Sequence, residues 1–554
     1  MCSWERTGMS DKRYDGIIIG AGHNGLITAA YLARAGLKIA VFEARDSVGG
    51  GFATDEVTAP GFKHQLHAHY SKIHECPANF DLELEKYGVE FVFPDPKMAF
   101  VRKDEYFIYH QDWQKTYESI KRISEKDAET YRQIAPKWRR WYVDFILPEL
   151  YSPPKPPKEW EKWILSHEGG EEYMDVVRNY SPLEYAYELF ESDYCRLSFI
   201  RGATSAEYDV NEKGLPALVL ETILNWFVEK TTHVVGGIKQ IPLALAKIVR
   251  ENGGEIFEST PVAKILVEGN AAYGIALGDG TEIHADRFVA SAIDPVHTFL
   301  FMIDEEKLPG DLAEKAADFQ FKGASLFRVH LALKDRPRFT MAEQEPLIND
   351  AWKFTIGFEE KGDFERIGDA LASGKIPPII GVDFGLSTIF DPTSAPEGCH
   401  VAYIGLPAPF DLADGGAEKW PEIAKEVGEQ FIAKLREYAP NMTDENIAGR
   451  FAYTPKDIEE YLPNMIEGDI TCGKITVSQL GWNRPWPGMQ YKTPIDKLFM
   501  CGSSTHPGGH ATGGSGYNGA NAIAEALGID KWWPPFDAKR VVEPWVDAVS
   551  EPKT

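Results

Sequence analysis

The sequence predicts an α/β fold, and three observations support this. An apolar run at 14–19 passes directly into a glycine-rich turn at 20–25 and then into a helical stretch. A second glycine-rich segment, 502–516, follows another apolar run near the far end of the chain. Between them, 239–292 reads as a helix followed by several short strands. Such strand–turn–helix units are typical of a Rossmann-type domain, which this chain would assemble from three separate stretches.

The opening stretch has the order of elements expected for a nucleotide-binding βαβ unit. The run 14–19 suits a buried parallel strand, and 24–35 carries Leu26 and several alanines along one helical face. Gly36 ends that helix, and 38–42 forms the second strand. The local pattern therefore predicts two parallel strands joined by one helix.

The glycines and one acid of this unit each suit contact with an ADP moiety. Gly20 permits a tight turn, Gly22 lets the backbone approach a pyrophosphate, and Gly25 lets the helix pack closely on the strand. The free N–H groups at the helix start bind phosphate well. Glu43 ends the second strand, where it can accept hydrogen bonds from ribose hydroxyls. The predicted binding residues are Gly20, Gly22, His23, Asn24, Gly25, Glu43 and Ala44.

A second glycine cluster distinguishes between the two common dinucleotides. Gly49 and Gly50 lie six and seven positions after Glu43, where backbone can again lie against a dinucleotide. Nicotinamide-binding domains do not usually need such a pair, whereas many FAD enzymes carry one. We therefore predict FAD, held non-covalently, as the cofactor.

The middle and the far end of the chain complete the same predicted domain. The middle predicts one helix and five strands, at 239–251, 255–257, 262–268, 272–277, 281–284 and 287–292. The far end predicts a strand at 497–501 and a small-residue helix over 517–527. The loop between these two has few side chains to pack, so we expect a flavin beside it and the helix start directed at that flavin. Its candidate contacts are Gly502, Ser503, Gly513, Gly514 and Gly516.

The rest of the chain predicts a second domain of mixed α+β structure for the substrate. The FAD-binding domain takes 12–75, 228–300 and 485–530; the substrate domain takes 76–227 and 301–484; the tail is 531–554. Within the substrate domain we expect strands at 326–333, 378–389 and 400–406, and helices at 117–141 and 420–438. We expect the helix 117–141 to be interrupted near Pro136.

These motifs together resemble the phytoene desaturase-like FAD oxidoreductases of the amine oxidase superfamily, from end to end. The resemblance rests on the glycine turns, Glu43, and the segments 391–398, 484–485, 491–494 and 501–509. Many members carry an arginine directly after the glycine pair, whereas this chain has Gly51. The resemblance implies that Val262 leans on the adenine, and that the substrate is apolar and isoprenoid-like.

The composition and charge of the chain limit the kinds of molecule that it is expected to bind. With 58 basic against 84 acidic residues, the formal net charge is −26, which argues against nucleic acid. Six widely spaced cysteines fit reduced thiols, and no apolar run reaches the ~18–20 residues of a membrane span. We expect a cytoplasmic protein. The segment 138–148 combines aromatic, aliphatic and cationic residues; we favour a helix packed on its own core, with peripheral membrane contact as the alternative.

Catalytic groups are harder to predict, because an apolar substrate needs few polar partners. The candidates are His67, His69, His506, His510 and Tyr517. His67 and His69 alternate along one extended segment, so either suits a general base near the flavin. The two lack a third ligand at metal-binding spacing, so we expect no metal site.

Four functions remain open at this point. The leading one is dehydrogenation of a hydrophobic, isoprenoid-like or terpenoid-like molecule by hydride transfer to FAD. The others are an oxidase of amines or of alicyclic or aromatic compounds, a redox-neutral flavin isomerase, and a non-catalytic flavin-binding subunit. Dioxygen or a quinone would accept the electrons, and a homo- or hetero-oligomer fits each alternative.

Overall fold

A computed structural model describes residues 12–205, 210–214, 232–322, 324–358, 360 and 362–543. The predicted domain boundary at 227 and the end of the predicted tail, 544–554, lie outside the described residues. The other domain limits remain predictions.

Seven strands form the first sheet, which we call the nucleotide sheet. Its spatial order is Val262–Glu268, Ala271–Leu277, Glu282–Ser291, Arg13–Ile19, Ile39–Phe42 and Glu255–Phe257, with Leu498–Met500 beside the carboxyl half of Glu282–Ser291. The sheet is parallel except where Ala271–Leu277 pairs with its two neighbours. One prediction was wrong: 281–284 and 287–292 belong to a single strand, Glu282–Ser291. Its pairing with Arg13–Ile19 shifts register at the charged residues Asp286 and Arg287 and then resumes at Phe288.

Three distant stretches of the chain meet at one edge of this sheet. Ile19 lies level with Ser291, and Ser291 lies level with Met500. Because these strands are parallel, the turns after Ile19 and Met500 emerge on the same side. This pairing confirms the predicted discontinuous Rossmann-type fold.

Helices cover the nucleotide sheet by close packing of small side chains. The helix His23–Arg34 packs against Gln240–Glu251 and Gly514–Leu527. Ala29 and Ala30 of this helix are fully buried. Small residues let helix backbones approach, which brings the turn at the start of His23–Arg34 against the C-terminal loop.

The second sheet also has seven strands and is mostly antiparallel. Its order is Ile447–Tyr453, Ala324–Leu333, His400–Pro409, Val382–Leu386, Lys353–Ile356, Met98–Val101 and Tyr106–Tyr109. Lys353–Ile356 runs parallel to Met98–Val101. The helix Trp420–Arg436 covers one face, where the ring of Phe327 stacks on Trp420 and Phe431 at 5.4 and 5.5 Å.

Residues 113–205 form a layer of helices. It contains Trp113–Ile123, Glu125–Trp141, Leu147–Leu150, Pro157–Leu165, Gly170–Asn179, Pro182–Leu189 and Asp193–Ser205. The predicted interruption near Pro136 was wrong, since Pro136 lies inside the helix Glu125–Trp141. The break is at Ser124, whose backbone is extended and whose hydroxyl accepts a hydrogen bond from the amide of Asp127.

Shorter elements connect these layers. The paired segments are Thr54–Asp55 with His64–Gln65, and Phe91–Val92 with His233–Val234. In the described parts of the chain, the remaining α-helices are Pro77–Asp81, Leu312–Ala317, Gly362–Ala372, Pro455–Tyr461 and Ala538–Val542.

The aromatic segment 138–148 packs on its own core, as favoured from the sequence. Trp138, Trp141 and Phe145 are buried, and the indole of Trp138 donates a hydrogen bond to the hydroxyl of Tyr185 at 3.2 Å. Among the helices described, none has the length and apolar character needed to cross a membrane.

Candidate active site

A cavity of about 360 Å³ begins at the glycine turns of the nucleotide sheet and continues to the strands of the second sheet. Its volume falls within the usual range of ligand pockets. The nucleotide end contains most of the residues predicted to bind FAD: Gly20, Gly22, His23, Asn24, Gly25, Glu43, Ala44, Gly50, Val262 and Ser503.

Bare backbone from two turns forms the walls of this end, which we call the glycine cradle (Gly20, Gly22, Gly25, Gly50 and Gly51). Gly22 forms a backbone bridge to Gly49, and the amide of Gly49 donates to the carbonyl of Ala21 at 2.9 Å. A Cβ at Gly50 would lie 3.0 Å from the Cα of Gly22, so the two turns approach this closely only without side chains. The helix His23–Arg34 starts with no side-chain cap, which leaves first-turn amides for an anion.

Glu43 lies at the edge of the cradle and is nearly buried. Its carboxylate accepts hydrogen bonds from the amides of Ala21 at 2.8 Å and Arg45 at 2.9 Å. Burial raises the pKa of Glu43, and those two amides oppose that rise. The amides fix the carboxylate at the strand end, where the ribose of a dinucleotide is expected.

We predict that FAD affinity depends on the ionisation of Glu43. If ribose hydroxyls donate to the carboxylate, the dissociation constant of FAD rises as pH falls through the raised pKa of Glu43. Glu43→Gln removes this pH dependence and weakens FAD binding by about tenfold at neutral pH, the value of roughly one charged hydrogen bond. Flavin fluorescence during titration of apoprotein measures both effects. An unchanged pH profile in Glu43→Gln would separate Glu43 from the ribose.

Asn24 joins the first turn to the C-terminal loop. Its Nδ2 donates to the hydroxyl of Ser503 at 3.1 Å, and its Oδ1 accepts from the amide of Gly516 at 3.0 Å. Thr28, one turn later, donates its hydroxyl to the carbonyl of Gly516 at 2.9 Å. Contacts between residues nearly 500 positions apart in the sequence therefore hold the first glycine turn against the C-terminal loop.

Several glycines predicted to contact the flavin instead pack against protein. Gly49, Gly502, Gly513, Gly514 and Gly516 are not among the described residues that line the cavity. An added Cβ would meet the carbonyl of Ala292 at Gly502, Ile73 at Gly513, and the carbonyl of Leu150 at Gly514. The amides of Gly514 and Gly516 are bonded to the side chains of Thr512 and Asn24. Gly514 and Gly516 allow the helix Gly514–Leu527 to pack closely on its neighbours, while Gly509, His510 and Ala511 line the cavity.

His67 and His69 both line the cavity, but so do Ala68 and Tyr70. The segment 66–70 is not an extended strand, so alternation is not what brings the two imidazoles to the cavity. Nε2 of His67 lies 2.9 Å from the hydroxyl of Tyr453. The ring of His69 contacts that of Tyr403, with 3.9 Å between centroids and 37° between the ring planes. Burial lowers the pKa of His67 to about 3 and that of His69 well below its usual value. Both imidazoles are therefore neutral near pH 7, the form that accepts a proton.

His506 and Tyr517 lie outside the described lining of the cavity, unlike His510. Nε2 of His506 is 2.8 Å from the carbonyl of Glu149. Tyr517 is buried in its helix, with its ring against those of Tyr31 and Tyr151. Both side chains hold protein segments together, and neither reaches the described lining of the cavity, where a proton would be transferred.

The sequence did not single out the charged residues that line the cavity at its second-sheet end. Arg201 and Asp383 form an ion pair, and the hydroxyl of Thr355 donates to Asp383 at 3.1 Å. Lys353 is buried, and burial lowers its pKa to about 7. Arg328 lies over the ring of Tyr403 at 4.6 Å. A charged residue inside an otherwise apolar strand pattern was the available signal for Arg328 and Lys353.

The residues present fit a dinucleotide cofactor at the nucleotide end. The cradle is backbone without side chains, so a pyrophosphate can approach it closely. The uncapped helix start has amides free to donate hydrogen bonds, and Glu43 has a fixed carboxylate that can accept them. Arg45 adds a cation to the lining, with its guanidinium 3.3 Å from the ring centroid of Tyr461.

Comparisons with known proteins agree with this geometry. A family model for flavin-containing amine oxidoreductases matches residues 25–411. The chain is 33% identical over 546 residues to one of the subunits of limonene dehydrogenase from Castellaniella defragrans, covering 95% of this chain and 97% of that protein. It is 24% identical to the neurosporene-forming phytoene desaturase of Rhodobacter capsulatus, covering 89% of this chain and 90% of that protein.

The solved structure of cyclohexylamine oxidase from Brevibacterium oxydans has the same fold, with a TM-score of 0.56 at 16% identity, covering 93% of this chain and 99% of that one. At that identity the likeness concerns the fold alone. The family match and the full-length relatives go further. The chain belongs to the flavin-containing amine oxidoreductase family, in its phytoene desaturase-like branch, and is an FAD-dependent oxidoreductase.

Proposed function

We propose that this enzyme dehydrogenates a hydrophobic, terpenoid-like substrate, forming a carbon–carbon double bond. The main observation is that one continuous cavity extends from the glycine cradle to apolar and aromatic walls in the second sheet. Those walls include Met98, Tyr109, Phe354, Phe384 and Leu406, all of them buried. Such walls favour an apolar molecule by removing its surface from water.

The relatives support this class of substrate. The 33% identical protein is named as part of a limonene dehydrogenase, and limonene is a small terpene. The more distant relative is named as a phytoene desaturase, which acts on a long isoprenoid. Both names denote removal of hydrogen from an apolar skeleton, although the two substrates differ greatly in size.

Each part of the site has a distinct task under this proposal. The cradle and Glu43 would hold the FAD nucleotide, and bound FAD would supply an acceptor for a hydride, which carries the two electrons of the oxidation. The aromatic walls orient the substrate and exclude water. The neutral imidazoles of His67 and His69 border the cavity, where they can accept the proton that the substrate loses.

Anaerobic reduction of the flavin by candidate substrates tests this function. We expect a cyclic or acyclic terpene to bleach the flavin absorbance and to yield a product two hydrogens poorer. For a cyclic terpene, the analogue with an aromatic ring is the matched control, because its ring carbons have no hydride left to lose. Bleaching by amines alone would contradict the proposal and indicate an amine oxidase.

Other outcomes of the same experiment identify the remaining alternatives. An isomerised product without net flavin reduction would indicate a redox-neutral isomerase. A flavin that no compound on the panel reduces would indicate a non-catalytic flavin-binding subunit. Peroxide release on admitting air would identify dioxygen as acceptor, and dependence on an added quinone would identify a dehydrogenase coupled to quinones.

We also propose that the enzyme works with a second, different polypeptide. The support is the full-length similarity to a protein whose name makes it one of the subunits of a dehydrogenase. Light scattering of protein purified from its native source would show a mass above that of the 62.0 kDa chain, together with the second polypeptide. Full activity of the isolated monomer would contradict this part of the proposal.

A further inference from the structure

Three histidines from different parts of the chain lie in a row that starts at the cavity. His69 lines the cavity, and its ring centroid is 6.4 Å from that of His330. The ring of His330 is 5.3 Å from that of His64. Nε2 of His64 lies 2.7 Å from the hydroxyl of Thr58, which is only partly buried. The row therefore connects the cavity with the protein surface.

A second, small cavity lies along this row. It has a volume of about 20 Å³ and borders His64, His69, His330 and Tyr403. A cavity of this size holds one water molecule when polar groups surround it. Nε2 of His69 and Nε2 of His330 are both buried and have no hydrogen-bond partner among the described residues. One water between them would satisfy both nitrogens.

Two ordinary explanations of such a cluster are weak here. A purely structural imidazole normally has its buried nitrogens bonded to protein, because an unsatisfied buried polar group costs about 1–3 kcal/mol. A metal site is not indicated either, since the described residues contain no group of three or more His, Cys, Asp or Glu side chains suited to hold an ion.

We propose that His69, His330 and His64 form a proton relay that carries the substrate proton from the cavity to Thr58 and solvent. The inference rests on the proposed dehydrogenation. There, one C–H bond breaks with its electron pair leaving as hydride to FAD, and a neighbouring C–H bond breaks to form the double bond. The proton from the second bond goes to His69 and then passes through His330 and His64 to water.

The surrounding charges favour outward transfer. Arg328, Lys353 and His67 face His69 beside His330, and Arg328, His64 and His67 face His330. Burial and these neighbours hold the pKa of His69 and of His330 well below the usual value, while that of His64 is lowered to about 4. Each imidazole is neutral between turnovers, and a proton accepted by His69 moves to solvent readily. As the hydride leaves, the positive charge that develops on the carbon skeleton makes the neighbouring C–H bond strongly acidic, so a weak base that takes the proton in the same step is sufficient.

Separating one turnover from many tests the relay. His69→Leu is expected to slow anaerobic flavin bleaching by the substrate about 100-fold, because the base is lost. His330→Leu and His64→Leu are expected to leave that single-turnover rate within about twofold but to lower kcat about tenfold. Combining the two should lower kcat no further, since each interrupts the same path. His330→Ala leaves space for added imidazole, which should restore most of kcat.

His400 provides a matched control. It lies on a strand of the same sheet, paired with Thr388 at 3.0 Å, and borders neither cavity among the described residues. His400→Leu should change neither rate. Equal losses in single-turnover and steady-state rates for His330→Leu, or no recovery with imidazole, would overturn the relay.

A spectroscopic measurement on the protein without FAD tests, independently of activity, whether His330 connects His64 with His69. With ring-¹⁵N histidine, His330→Leu should shift the ring signals of both His64 and His69, whereas His400→Leu should shift neither. If no terpene bleaches the wild-type flavin, the proposed function fails, and these ring signals still test the relay. Signals of His64 and His69 that do not respond to His330→Leu would overturn it.

Discussion

Gly22→Trp is expected to yield a folded protein that retains no FAD. Gly22 has ordinary backbone angles, φ −67° and ψ 166°, so a larger residue brings no backbone strain. The nearest atom to an added Cβ is the Cα of Gly50, at 4.0 Å, across the cradle. An indole would therefore fill the space in which the pyrophosphate is expected, while the elements around it keep their packing.

The expected loss of FAD affinity is on the order of 1,000-fold, or about 4 kcal/mol. Flavin absorbance per protein after gel filtration measures retention, and circular dichroism checks the fold. Gly278→Trp is the matched control, because that glycine lies in a hairpin turn with no other atom within 4 Å of an added Cβ. A yellow, active Gly22→Trp protein would show that the pyrophosphate binds elsewhere.

Gly516→Val is expected to lower the free energy of unfolding by about 3 kcal/mol. A Cβ at Gly516 would lie 2.4 Å from the carbonyl oxygen of Asn24 and 2.9 Å from its Cα. These are backbone atoms, so the helix Gly514–Leu527 must move away from the helix His23–Arg34. That movement breaks the hydrogen bonds of Gly516 to Asn24 and Thr28.

Urea unfolding followed by intrinsic fluorescence measures this effect, and flavin release should occur at a lower urea concentration as well. Gly278→Val should change the free energy of unfolding by less than about 0.5 kcal/mol, as is usual for exposed positions. If Gly516→Val unfolded at the same urea concentration as the wild type, the C-terminal helix would not pack on the first helix in this way.

The nucleotide end of the molecule was predictable because its signals are local. The apolar run and the glycine turn indicated the strand Arg13–Ile19 and the helix His23–Arg34 to within one residue at each end. Glu43 followed from its place at the end of the next strand. In each case the informative residues lie within a few positions of one another, so pattern alone was sufficient.

The C-terminal loop shows the limit of reasoning from glycine. A glycine indicates that something lies close to the backbone, but it does not indicate whether that neighbour is ligand or protein. At Gly514 the neighbours are the carbonyl of Leu150 and the ring of Pro507. Leu150 lies more than 300 positions away in the sequence, so no local pattern could have indicated the contact.

The substrate end was the least predictable part, because pairing between distant strands decides which side chains reach the cavity. Lys353 lies level with Met98, and His330 with Tyr403 and Phe451. The residues around His69 were enough to indicate it as a candidate for proton transfer. Nothing near His330 in the sequence did so, and only the second sheet brings its ring close to that of His69.

A crystal structure of the FAD-saturated protein tests the central claim most directly. We expect one FAD, with its adenosine ribose hydroxyls within hydrogen-bond distance of Glu43, its pyrophosphate against Gly22 and the start of the helix His23–Arg34, and its ring system directed toward His69 and Tyr403. Electron density for FAD outside the cleft between the two glycine turns, with Glu43 contacting only protein, would contradict it.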